Sequence, residues 1–63
     1  MISEVIKFEN SMVLVFDGRG VQMPEYQGKY NEVRAKILAR APRSTKFYHH
    51  ISTIRAEVLR KDW

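Results

Sequence analysis

Met12-Val13-Leu14-Val15-Phe16 is the longest unbroken apolar run in the sequence, and it is apolar on both faces of the strand it forms. Successive strand side chains point to opposite sides, so Met12, Leu14 and Phe16 face one way and Val13 and Val15 the other. A strand with one wet face alternates apolar with polar residues; this one demands cover on both sides. The chain has 63 residues and no cysteine. One domain, 1–63, is all that length allows, and neither a disulfide framework nor a thiolate metal site is available. A domain this small buries only about 60% of the surface its unfolded chain exposes, and self-association is a common remedy. Two arrangements satisfy the 12–16 strand. A helix covers one face and the C-terminal segment the other, or a second copy of the chain covers the second face.

The flanking residues predict the remaining elements. Ile2–Phe8 is rich in β-formers, and Glu9-Asn10-Ser11 supplies turn chemistry, so the N-terminal third reads as a hairpin. Asp17-Gly18-Arg19-Gly20 is a second turn, because Asp-Gly accepts the positive φ of tight hairpins. Val21-Gln22-Met23 then forms a short third strand of a meander, ended by Pro24. From Gln27 or Gly28 to Ala41 the spacing predicts a helix, with Tyr30, Val33, Ile37, Leu38 and Ala41 on one face. Arg34 falls within that stripe, where its stem packs and its head reaches water. Pro42 stops the helix, since the residue before a proline avoids the α region. Thr45–Ile51 is β-branched and aromatic and reads as a strand. For the last segment, Ile54, Ala56 and Val58 alternate as in a strand, but the strong helix formers around them favour a short C-terminal helix, capped by Ser52 or Thr53 and running to Lys61. The fold class is α+β: a small antiparallel sheet, made of the N-terminal hairpin or meander and a strand near 45–51, packed on one main helix at about 28–41.

Charge is segregated. Residues 1–33 carry three basic and five acidic side chains, whereas residues 34–63 carry eight basic and two acidic ones. Lys29, Lys36 and Arg40 form one row beside the apolar helical stripe, and Arg43 and Lys46 extend it. These five are the candidate contacts for an anionic partner such as nucleic acid. The same residues also fit a solvated face: Glu32 and Lys36 are an ordinary i,i+4 pair, and Arg40 and Arg43 suit a helix C-terminus. No helix-turn-helix, zinc-finger or RNA-recognition signature accompanies them.

Other motifs carry little chemistry. His49 and His50 are adjacent on a strand and point to opposite faces, so no metal site is expected of them. Gly18-Arg19-Gly20 lacks the residues of a phosphate-binding loop. No serine stands in a nucleophile elbow, and no catalytic residue or cofactor is expected. Trp63 is an anchor of the type enriched at interaction hot spots, unless it closes the core. The residues expected at a protein interface are therefore Val13, Val15 and Trp63. The N-terminus has no basic stretch followed by an apolar one, and five apolar residues fall far short of the ~20 a membrane helix needs, so a cytoplasmic address is expected and no membrane contact. The leading expectation is a non-catalytic module that binds another protein or itself as a homodimer. The competing one is a sequence-nonspecific nucleic-acid binder using the basic half.

Overall fold

The computed structural model describes all residues, 1–63, as an α+β fold. Strand β1 (Ile2–Phe8) and β2 (Met12–Asp17) make the expected hairpin. Its turn is held by Asn10 Oδ1, which accepts the Met12 N–H at 3.0 Å, while Ser11 takes φ 68°. At the next turn Asp17 Oδ1 accepts the N–H groups of Arg19 and Val21, at 2.8 and 3.0 Å.

Residues 21–23 do not make the expected third strand. They reach only a single antiparallel bridge, Gln22 opposite Phe16, flanked by hydrogen bonds from the Asp17 N–H to the Val21 carbonyl at 2.9 Å and from the Met23 N–H to the Val15 carbonyl at 2.8 Å, and Pro24–Tyr26 then coil into one 3-10 turn. The side chain of Gln27 replaces a strand there, its Oε1 accepting the Val15 N–H at 3.0 Å. The third strand, β3, is the two-residue Gly28–Lys29 paired with Val13 and Met12. That pairing delays the helix: α1 spans Tyr30–Arg40 rather than opening at 27 or 28. It ends where expected, with Ala41 extended before Pro42.

Strand β4 (Lys46–Ile51) follows, and it pairs with β1 in parallel. The expected antiparallel sheet is thus a mixed one. Helix α1 is the crossover that returns the chain in the direction of β1, which a short turn cannot do. The expected C-terminal helix is absent. Residues Ile54–Val58 form β5, antiparallel to β4 from Ile51↔Ile54 to Phe47↔Val58. Local helix propensity amounts to tenths of a kcal/mol per residue, and ladder pairing along β4 overrides it. Ser52 turns the corner at φ 58°. The sheet order is β3-β2-β1-β4-β5, with β1 at the centre.

The core lies between the sheet and α1. Val5, Val13, Val15 and Phe47 from the strands meet Val33 and Ile37 from the helix. Tyr30, Leu38 and Ala41, the rest of the expected stripe, pack against its margin. Arg34 behaves as its position implies, with Nε donating to the Tyr30 hydroxyl at 2.9 Å. After β5 a 3-10 turn at Arg60–Asp62 folds Trp63 back onto this same side, beside Phe47 and Tyr30. The Arg60 guanidinium fixes that path by donating to the carbonyls of Ala41 and Pro42. The C-terminal segment therefore does not cover the second face of the sheet. It joins the helix on the first, and no element lies across the other.

Candidate functional site

The uncovered face is built by strand parity. Ile6 and Phe8 of β1, Met12, Leu14 and Phe16 of β2, and Tyr48 and His50 of β4 all point away from α1. Register aligns them in rows across the sheet. Leu14, Ile6, Tyr48 and Glu57 form one row; Phe16, Glu4 and Lys46 form another. Phe8, His50 and Arg55 form a third. Ile6 is 6% exposed and Tyr48 9%, yet neither belongs to the core cluster under the helix. Their cover comes from neighbours on the same face. The Arg55 guanidinium lies 4.6 Å from the Tyr48 ring centroid, and the Phe8 and His50 rings stack at 4.9 Å with a 38° tilt. Lys46 and Glu57 pair at 3.7 Å in an exposed setting. Lys29, opposite Met12, completes the charge on this face: three cations, Lys29, Lys46 and Arg55, and two carboxylates, Glu4 and Glu57.

The expected interface residues lie elsewhere. Val13, Val15 and Trp63 are 1%, 0% and 3% exposed and sit in the core beneath α1, where no partner can reach them. Because 12–16 is apolar on both faces, the strand itself does not reveal which face the helix takes. The signal for the true open face was the count of covering elements: one amphipathic helix covers one side of a sheet.

The five basic candidates do not form one patch. Lys36 and Arg40 are exposed on α1 and Arg43 lies just beyond its end, on the helix layer. Lys36 Nζ donates to the Glu25 carbonyl and sits 5.6 Å over the Tyr26 ring. Lys29 and Lys46 are on the opposite side of the molecule, facing away from α1 with the open sheet face.

A cleft of about 250 Å³ opens where β1 and β4 end side by side, lined by Lys7, Phe8, Glu9, His49, His50 and Ile51. His49 lies on the helix side with Lys7, and its Nε2 is buried without a hydrogen-bond partner. His50 lies on the open side against Phe8, so the two imidazoles diverge as adjacent strand residues must. Glu9 is engaged through Oε2 with the Ser52 N–H, and Lys7 Nζ lies 4.9 Å over the Tyr30 ring. No three His, Cys, Asp or Glu residues stand close enough to hold a metal ion, and no helix is long and apolar enough to cross a membrane. Comparison with protein-family models, with curated proteins and with solved structures finds no match.

Proposed function

We propose that the chain is a small, non-catalytic protein-interaction module of the cytoplasm, and that it recognises its partner through the accessible apolar residues of the uncovered sheet face, Phe8, Met12, Leu14 and Phe16. One observation carries this reading: the sheet face with no layer across it leaves Met12 exposed and Phe8, Leu14 and Phe16 half-buried, within a border of charged residues. Contiguous exposed apolar surface ringed by charge marks interaction sites on small domains. The near balance of cations and carboxylates there favours a protein over a polyanion, which needs concentrated positive charge. The cysteine-free composition supports the cytoplasmic address.

Selection from a displayed library of random peptides tests the reading. The expected result is enrichment of apolar and aromatic peptides that bind the wild type and lose binding to Phe16→Asp and Leu14→Asp, both checked for native circular dichroism. Absence of enrichment, or peptides indifferent to these changes, would overturn it. The competing nucleic-acid function draws on Lys36, Arg40 and Arg43, all exposed and none in an ion pair. It requires micromolar binding of generic duplex or single strands that falls steeply with salt and disappears in a Lys36→Glu/Arg40→Glu variant. Such binding would put this function in place of peptide recognition.

A further inference from the structure

We infer that β5 is a pairing edge for a second copy of this chain, joined antiparallel about a two-fold axis between the two copies of Ala56. This goes beyond peptide recognition on the open face: it concerns the edge of the sheet and names its partner.

The two edges of the sheet differ. On one side β3 is two residues long, and the Gln27 side chain takes the place of further strand. On the other, β5 runs five residues in unbroken register with β4, with no bulge and no proline. Residues 54–57 are exposed, Ile54 at 66%. Alternate residues of an antiparallel strand turn both backbone groups to the same side, so half of the β5 N–H and C=O groups face outward and unpaired. Natural edges are blunted by shortness, bulges, proline or charged side chains. The β3 edge is protected by its shortness, whereas β5 carries only the charges of Arg55 and Glu57, which are of opposite sign and so can pair across a second copy.

The sequence of β5, Ile-Arg-Ala-Glu-Val, is self-complementary in one register. In a continuous antiparallel sheet the two-fold stands perpendicular to the sheet and passes midway between two copies of one residue. Centred on Ala56, it sets Arg55 of each copy opposite Glu57 of the other, twice, on the open face. It also sets Ile54 opposite Val58 on the helix side, and Ala56 opposite itself. Centred on Arg55 or on Glu57, it would set like charges directly opposite, which is destabilising. The Ala56 register also joins the two open faces into one. Lys46 and Glu57 of one copy then continue into Arg55 and Tyr48 of the other, extending contacts each copy already makes. An edge of five residues buries less than the ~1,200 Å² of a standard stable interface, so association should appear at high micromolar concentration.

Sedimentation velocity from low to high micromolar concentration is the test. The mass should rise from 7.4 kDa toward twice that value. Glu57→Arg and Arg55→Glu should each stay at 7.4 kDa, because each sets like charges opposite. An equimolar mixture of the two variants should associate again, as should the double variant. Phe16→Asp should dimerise as the wild type does, which separates this edge from the open-face reading. A wild type that stays monomeric overturns the inference; so do single variants that associate normally, or association lost in Phe16→Asp but kept in the charge variants. A second readout uses the absence of native cysteine. Ala56→Cys meets its own symmetry mate at a Cα separation of about 4.5–5.5 Å, within disulfide range, and should cross-link under mild oxidation in buffer but not in urea. Failure to cross-link in buffer would also overturn the register.

Discussion

The indole Nε1 of Trp63 donates to the backbone carbonyl of Tyr48 at 3.1 Å, fastening the last residue to a strand in the middle of the sheet. Its ring lies 5.1 Å from both Phe47 and Tyr30, and the Tyr30 hydroxyl donates to the Trp63 carbonyl. A residue at the chain end thus closes the core. Trp63→Phe keeps most of the packing and should cost about 1 kcal/mol for the lost hydrogen bond. Trp63→Ala should cost about 3–5 kcal/mol, a large share of the ~3–9 kcal/mol expected for a domain this size. Urea unfolding of the three proteins checks the order; equal midpoints for wild type and Trp63→Ala would refute core closure.

Much of this arrangement is legible from residue pattern alone. The hairpin follows from two β-rich runs about Glu9-Asn10-Ser11, and the helix stripe and its stop at Pro42 follow from spacing and stereochemistry. The departures share a physical cause, in that distant partners decide them. Residues 54–58 are adequate helix formers, but β4 offers them a ladder. Val21–Met23 pairs with β2 only as far as one bridge, because the Gln27 side chain takes the Val15 N–H that would continue the ladder. The orientation of β2 is hidden because both of its faces are apolar, and β1 adds no help, since the bulge between Ile2 and Glu4 breaks its alternation. The candidate site follows from that hidden choice, so Val13 and Val15 stood in for Leu14 and Phe16.

Thr45 is the one buried polar residue, and its Oγ1 donates to the Ile2 carbonyl at 2.8 Å, tying the start of β1 to the approach of β4. Replacing the hydroxyl by a methyl of similar volume leaves that carbonyl without this donor. Thr45→Val should therefore destabilise by about 1–3 kcal/mol despite its greater hydrophobicity. Thr45→Ser keeps the donor and should cost less. Chemical denaturation separates these; a Thr45→Val protein more stable than Thr45→Ser would remove the hydrogen bond from the account.

Gly28 sits at φ 144°, where side chains are disfavoured, and it pairs with Val13 just before the helix opens. A Cβ there would touch Val33 Cγ1 at 3.5 Å, an ordinary contact, so the penalty is conformational rather than steric. Gly28→Ala should cost about 1–3 kcal/mol. Gly18 has no positive φ, and a Cβ added to it would meet nothing within 4 Å. Gly18→Ala should change stability by no more than about 0.5 kcal/mol. Thermal melts of the pair make the comparison, and similar losses at both positions would contradict it.

The carboxylate of Asp17 is held below its usual pKa of 3.8, chiefly by the N–H of Val21, then by that of Arg19, with a smaller contribution from nearby positive charge. A group whose pKa falls on folding contributes stability that is complete above the unfolded value. That contribution is lost as the pH drops through the folded one. Asp17→Asn keeps an acceptor oxygen but removes the charge. It should therefore melt below the wild type at pH 7, and the gap should close as the pH falls below 3.8. The turn is solvent-facing, so the difference should be modest and shrink in high salt. Melting curves of both proteins from pH 7 to pH 2 decide the matter: a gap that stays constant across the range would mean that the charge on Asp17 contributes nothing to the turn.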